Sequence, residues 1–166
     1  MEFCVHTKKY RKSAPHSILI CSHIAMHSST VILSIKPQYI EQIIGGQKTV
    51  ELRRRFPSAL GRAHLLLYSS APVQAIVGHA VLEEVISLSL GSLWRRFSNA
   101  AAVTREHFDQ YFHGIESGYA LKLAKVTPLP EPISRVELVR RFRFCAPQSY
   151  CYWRRPLSAL SVHGWL

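Results

Sequence analysis

The chain has 166 residues, of which 48% are hydrophobic and 19% charged. This is enough for one domain with its own core, and it is not the composition of a disordered protein. No apolar run reaches the ~18 residues that a membrane-spanning helix needs. The 21 Lys and Arg outnumber the 10 Asp and Glu, for a formal net charge of +11. A basic domain favours a polyanionic partner such as nucleic acid; the alternative is a protein with an ordinary basic surface.

The cysteines and histidines predict neither a metal site nor a cofactor. No two cysteines have the C-x2-C spacing of a structural zinc site, and the nine histidines are scattered. Free thiols are typical of a reducing cytosol, so we expect a cytoplasmic protein. The four cysteines are Cys4, Cys21, Cys145 and Cys151.

Residues 1–29 differ from the rest because their apolar residues follow no period. They are interpreted either as a disordered tail or as a mis-assigned start, with Met26 as the true first residue. Removing residues 1–25 takes away four basic residues and Glu2, which leaves a net charge of +8. The basic character therefore belongs to the predicted domain at residues 30–155, and residues 156–166 are expected to form a C-terminal tail.

The domain begins with a predicted strand, helix and strand. Residues Val31–Ile35 are a β-branched run that ends before Pro37, and Pro37 suits the first turn of a helix. Gly45 and Gly46 end that helix. Residues Thr49–Leu52 form a short alternating strand.

Two more strands and two helices follow. Residues His64–Tyr68 and Val73–Ile86 are strand-like, and Gly78 predicts a bulge in the second. Leu93, Trp94 and Phe97 have the spacing of a helix face. Thr104 is the predicted N-cap of the next helix, whose apolar face holds Phe108, Tyr111 and Phe112 and which ends at Gly114.

The last elements are a strand, a connector, a helix and a strand. Alternation from Gly118 to Ala124 predicts the strand, and the prolines from Pro128 to Pro132 predict a stiff connector. Ser134 with Glu137 forms a capping box for a short helix, and residues 147–153 form the closing strand. Strands with interspersed helices and no βαβ rhythm predict an α+β fold with a mixed or antiparallel sheet.

The most specific pattern lies between the first helix and the second strand. It has the form G-x-K-T-x-E-x-R, from Gly46 to Arg53. In this context the pattern resembles the ASCH domain family, and the resemblance extends over residues 30–153. It implies a small PUA-like β-barrel whose cleft, beside the Lys-Thr strand, takes RNA or a modified nucleotide. The other matching segments are Leu33–Pro37, Leu67–Ser70, Val77–Gly78, Gly118–Leu121 and Pro147–Tyr150.

The chemistry of these residues agrees with a binding site. Arg53 suits bidentate contacts to a phosphate or a base edge, and Glu51 is placed to orient it. Strand alternation puts Glu51 and Arg53 on one side and Lys48 on the other, unless strand twist returns Lys48 to the cleft. The alternative is a surface pair of Glu51 with Arg53 or Lys48, worth under ~1 kcal/mol.

Catalysis is the point at which the chain departs from the family. Some ASCH proteins are amidohydrolases of N4-acetylcytidine and use a lysine, a threonine and a glutamate. This chain keeps Lys48, has Glu51 where the threonine would stand, and has no acidic residue from Val85 to Arg105. We therefore expect no acetylcytidine hydrolysis and favour a binding module over an enzyme. Other relatives are ribonucleases, and for that chemistry the candidates are Lys48, Glu51 and Tyr119.

The sequence thus predicts an ASCH-type domain that binds RNA or a nucleotide, with regulation as its candidate role. Two alternatives remain open: an amidohydrolase or nuclease that acts on a modified nucleoside or RNA, and a protein-interaction module in transcription or translation. No cofactor, metal or membrane is expected. The candidate nucleic-acid-binding residues are Lys36, Lys48, Thr49, Glu51, Arg53, Arg55 and Ser69.

Overall fold

A computed structural model describes residues 29–160. Residues 1–28 of the expected N-terminal tail at 1–29, and residues 161–166 of the expected C-terminal tail at 156–166, lie outside the described residues. The described chain forms six strands, four α-helices and one 3-10 turn at Leu157–Ala159. None of its helices is long and apolar enough to cross a membrane. The strands are β1 (Thr30–Ile35), β2 (Val50–Arg53), β3 (Ala63–Ser69), β4 (Ala75–Ser89), β5 (Ser117–Ser134) and β6 (Tyr150–Trp153). The helices are α1 (Pro37–Ile44), α2 (Leu90–Ala101), α3 (Arg105–Phe112) and α4 (Arg135–Phe142).

All six strands form one sheet in the order β2-β5-β4-β3-β1-β6. Strands β1 and β3 are parallel, and the other neighbours are antiparallel. The expected α+β fold with a mixed sheet is confirmed. The expected β-barrel is wrong, because within residues 29–160 the backbone ladder ends at β2 on one side and at β6 on the other.

Both faces of the sheet are covered, so the central strands are apolar on both sides. Along β1, Val31 and Leu33 belong to the core beneath α1, while Ile32 belongs to the core beneath α4. A third core joins β2 to α2 and α3. This two-sided burial explains why β1 is a continuous β-branched and apolar run rather than an alternating one.

The helix signals are confirmed at the predicted positions. Thr104 Oγ1 accepts a hydrogen bond of 3.2 Å from the backbone N–H of His107, which fixes the start of α3. Ser134 Oγ accepts one of 3.2 Å from Glu137 N–H at the start of α4. Both caps satisfy a backbone donor that a helix leaves unpaired in its first turn.

The expected proline connector is wrong, because β5 continues through Pro128, Pro130 and Pro132 to Ser134. Beyond Lys122, β5 pairs with β4 alone among the described residues, since β2 is matched only to residues 119–122. The pairing with β4 passes from Gly78↔Pro128 to Ile76↔Ile133, so residues 129–132 form a bulge without partners on β4. Pro130 and Pro132 lie in this bulge and therefore remove no ladder hydrogen bond.

Gly118 packs where no side chain fits. A Cβ at this position would overlap the Phe112 ring and stand 3.1 Å from Leu93 Cδ1, both in the core of α2 and α3. We expect Gly118→Ala to lower the free energy of unfolding by ~1–3 kcal/mol, the usual effect of overpacking. Urea denaturation followed by circular dichroism measures the change.

Gly91→Ala is the matched control for Gly118→Ala. A Cβ at Gly91 meets nothing within 4 Å, and alanine is the better helix former by ~1 kcal/mol or less. We expect no loss of stability in this variant. Equal stability of the two variants would contradict the close packing at Gly118.

Candidate functional site

A pocket of about 820 Å³ lies between β2 and the ends of β1 and β6, with α1 and α3 at its sides. Its charged lining residues other than histidine are four cations and one carboxylate, so the pocket is basic. The lining residues are Ser34, Ile35, Lys36, Gln38, Tyr39, Lys48, Glu51, Leu52, Arg53, Arg54, Ser70, Val103, His107, Phe108, Gln110, Tyr111, Phe112, Gln148 and Ser149.

Three charged side chains meet at the pocket wall. Glu51 Oε2 is 3.2 Å from Lys48 Nζ, and Glu51 Oε1 is 3.2 Å from Arg53 Nη2. One carboxylate is therefore shared between two cations. We call Lys48, Glu51 and Arg53 the charged triad.

The charged triad is buried, with only 2% of Lys48, 7% of Glu51 and 5% of Arg53 exposed. The alternative of a surface ion pair is therefore wrong. When all three groups are ionised, the triad keeps one net positive charge inside the protein. Burial lowers the pKa of Lys48 below its ordinary value of 10.5, and the charge of Glu51 acts against that shift.

Lys48 reaches Glu51 because it precedes β2 rather than belonging to it. The strand begins at Val50, so strand alternation does not govern the direction of Lys48. The Lys48 ammonium donates a 2.6 Å hydrogen bond to the carbonyl of Ala101, at the end of α2. It also stands 5.1 Å from the centre of the Tyr39 ring, within cation–π range.

Arg53 links β2, at one edge of the sheet, to β1 and the start of β6 at the other edge. Its Nη2 donates to the carbonyl of Ser34 on β1 at 2.8 Å, and its Nη1 donates to Ser149 Oγ at 3.4 Å. Its Nε is buried and has no hydrogen-bond partner among residues 29–160. The bond to Ser149 is long, so the guanidinium retains donor capacity that the described protein groups do not use.

Helix α3 supplies an aromatic side of the pocket. The Tyr111 carbonyl accepts a 2.8 Å hydrogen bond from Arg54, which ties the end of α3 to the end of β2. Burial raises the pKa of the Tyr111 hydroxyl. Together with Tyr39 from α1, Tyr111 places a second phenol ring at the pocket lining.

Four of the predicted site residues line this pocket, namely Lys36, Lys48, Glu51 and Arg53. The other four lie outside its lining. Thr49 and Arg55 are exposed, Ser69 is buried at the end of β3, and Tyr119 packs against the core beneath α1.

The candidate residues named from the sequence did not include Tyr39, Arg54, His107 and Tyr111, which line the pocket. Sequence reasoning also gave no role to Gln148 and Ser149, although both belong to a segment that carries the family resemblance. His107 looked like an isolated histidine, and Tyr111 looked like one more member of a helix face. Neither pattern distinguishes a pocket residue from an ordinary one.

The donor set of the pocket fits an anion rather than a metal cation, since cations outnumber its single carboxylate. Among residues 29–160 no group of three or more His, Cys, Asp or Glu side chains is arranged to hold a metal ion.

The fold and pocket define a small α+β domain with a basic, aromatic-lined cavity. The ASCH domain model matches residues 33–130, and the chain belongs to the ASCH domain family. The ASCH domain-containing ribonuclease of Zymomonas mobilis subsp. mobilis is 32% identical over 125 residues, which cover 75% of this chain and 84% of that protein.

Solved structures agree with this assignment. The crystal structure of ASCH from Zymomonas mobilis matches with a TM-score of 0.71 and 31% identity, covering 76% of this chain and 88% of the other. A mutant of that protein with one tyrosine changed to phenylalanine matches with a TM-score of 0.72 and 30% identity, covering 76% and 91%. A mutant with one serine changed to alanine matches with a TM-score of 0.70 and 29% identity, covering 76% and 89%.

The charge balance of the triad predicts that substitutions of its three residues lower the free energy of unfolding by different amounts. Glu51→Gln leaves two buried cations without an anion, and we expect it to lower the free energy of unfolding by about 3–5 kcal/mol. Lys48→Met and Arg53→Met each leave Glu51 with one cation, so we expect each to lower the free energy of unfolding less than Glu51→Gln does. Urea denaturation of the three variants measures the order. If Glu51→Gln were the mildest of the three, the triad would not be held by its shared carboxylate.

Proposed function

We propose that this ASCH domain, at residues 30–155, binds RNA by placing one nucleotide in the pocket beside the charged triad. The observation that carries the proposal is the buried arrangement at the pocket wall in which two basic side chains, Lys48 and Arg53, share one carboxylate. A phosphate is a suitable counter-charge, and Arg53 has the planar donor geometry that phosphate oxygens accept.

The uncharged lining supports the same ligand. A cavity of about 820 Å³ falls within the ~300–1,000 Å³ of small-molecule sites. Tyr39 and Tyr111 offer rings on which a base can stack. Gln38, Gln110 and Gln148 add amide donors and acceptors suited to a base edge or a ribose hydroxyl.

RNA cleavage is the second candidate function, and the name of the Zymomonas mobilis relative favours it. RNA brings its own nucleophile, the 2′-hydroxyl, so the protein must supply proton transfer and charge stabilisation at phosphorus. The triad offers the charge stabilisation. The solved mutants of the relative change a tyrosine and a serine, and both residue types line this pocket.

Binding is tested first with Lys36, because it is exposed at the pocket lining and its substitution leaves the triad intact. We expect wild-type affinity for a fluorescent 12-nucleotide oligouridine to fall steeply with salt through counterion release. Lys36→Gln should weaken binding several-fold and lower the slope of log affinity against log salt by ~0.7, the share of one phosphate contact. Fluorescence anisotropy from 50 to 300 mM KCl (roughly the range over which such binding is lost) provides both values.

The matched control is Lys125→Gln, which removes the same charge from an exposed residue outside the pocket lining. It should bind like the wild type. Equal losses in the two variants would mean that RNA responds to total surface charge and not to the pocket. Wild-type binding that is independent of salt would overturn the phosphate-led proposal.

Cleavage is tested with Ser149→Ala, which removes the hydroxyl that Arg53 contacts and is small enough to keep the fold. If the domain is a ribonuclease, we expect the rate on a 5′-labelled RNA to fall about two- to tenfold, the value of one hydrogen bond. A 2′-deoxy substrate should not be cut, and N4-acetylcytidine should release no cytidine.

Ser87→Ala is the control for the cleavage assay, because Ser87 is exposed on β4 and does not line the pocket. Its rate should equal that of the wild type. Tight RNA binding without cleavage by the wild type would exclude the ribonuclease and leave the binding module. Release of cytidine that Lys48→Ala abolishes would instead establish the amidohydrolase alternative.

A further inference from the structure

A second concentration of positive charge lies away from the pocket, where α4 ends and the chain leaves β6. From Leu129 to Leu160 the chain has six arginines and two glutamates. Of these arginines, five are exposed and Arg141 is half-buried. The arginines are Arg135, Arg140, Arg141, Arg143, Arg154 and Arg155.

Contacts at Phe142 hold part of this charge together. The guanidinium carbons of Arg141 and Arg155 stand 4.9 and 5.4 Å from the centre of the Phe142 ring. Arg155 also donates a 3.4 Å hydrogen bond to the Phe142 carbonyl, next to Arg143. Arg154 directly precedes Arg155 in the chain and is exposed. We call Arg143, Arg154 and Arg155 the arginine cluster.

The arginine cluster lacks internal neutralisation. Arg141 pairs with Glu137 at 2.8 Å, whereas no member of the cluster has a carboxylate partner within residues 29–160. The negative end of the α4 dipole accounts for a cation at Arg143. It does not account for Arg154 and Arg155, which directly follow β6 in the chain. Exposed like charges without counter-charges favour a polyanionic ligand.

Strand β6 connects the arginine cluster to the pocket. Ser149 lines the pocket, β6 runs from Tyr150 to Trp153, and Arg154 follows directly. Four strand residues span ~13 Å. Among the described residues β6 is the edge of the sheet, and its Tyr152 side chain is 45% exposed. An exposed aromatic ring thus stands between a basic pocket and a basic cluster.

We propose that a single-stranded RNA bound in the pocket continues along the outer edge of β6 to the arginine cluster. One base stacks on Tyr152, and Arg154 and Arg155 bind the phosphates beyond it. Single-stranded RNA fits because stacking on a protein ring needs a base that is not paired. This inference rests on the proposed function for the pocket, and it adds a second surface that only a longer strand reaches.

The experiment compares a ligand confined to the pocket with one that reaches the cluster. The probes are the dinucleotide UpU and a fluorescent 12-nucleotide oligouridine. Arg154→Gln/Arg155→Gln should leave UpU affinity unchanged and weaken 12-mer binding about tenfold. For this variant, the slope of log 12-mer affinity against log salt should fall by ~1.4, the share of two phosphate contacts.

The matched control is Arg95→Gln/Arg96→Gln. These arginines are also adjacent and exposed, and Arg96 stands 5.0 Å from the Phe97 ring much as Arg155 stands over Phe142. They lie on α2, outside the pocket lining, so this variant should bind both probes like the wild type. Tyr152→Ser should weaken 12-mer binding about fivefold or more through lost stacking, with no change in salt slope.

Each result bears on one surface. An equal loss of 12-mer affinity in the two double variants would overturn the proposed RNA path along β6, because total charge would then explain both losses. If Arg154→Gln/Arg155→Gln bound the 12-mer as tightly as the wild type does, the proposed RNA path along β6 would also be overturned. The pocket proposal would still stand if UpU binds. Failure of wild-type protein to bind UpU or the 12-mer would overturn the pocket proposal itself. Should the double variant fail to fold, Arg154→Gln alone spares the Phe142 contact, and its slope should fall by ~0.7.

Discussion

The shared carboxylate of Glu51 is the interaction on which the pocket depends. One oxygen holds Lys48 from the turn before β2, and the other holds Arg53 from the end of β2. Through these cations, Glu51 is linked to Ala101 at the end of α2 and to Ser34 on β1. Buried ion pairs rarely stabilise a protein more than apolar residues of similar volume would. A buried triad with an excess cation therefore agrees better with a ligand-binding role than with a purely structural one.

The open sheet and the pocket have the same physical origin. Strands β2 and β6 have four residues each, and the described backbone ladder does not join them. Arg53 side-chain bonds to Ser34 and Ser149 span the gap instead. A continuous ladder would bring strands to about 4.8 Å and fill this space with backbone. Side chains of α1 and α3 line it here, and a cavity remains between them.

The positive charge of the protein is divided between two places with different character. At the pocket, cations are buried, held by Glu51 and surrounded by rings, which suits recognition of one nucleotide. In the arginine cluster they are exposed, which suits sequence-independent contact with a phosphate backbone. Strand β6 lies between the two regions. A net charge of +11 indicates a polyanion, but it does not distinguish these two modes of contact.

Local signals in the sequence determined most elements, and tertiary structure decided the rest. Pro37, Thr104 and Ser134 marked helix starts correctly, because breakers and caps act within one helical turn. The family pattern located the triad. The direction of Lys48 depended on where β2 begins. The open sheet and the passage of β5 through three prolines depended on how the strands pair. Arg53 and Ser149 are 96 positions apart, and they meet only after the strands between them have assembled. Contacts of that kind follow from the strand order, which no local pattern in the chain records.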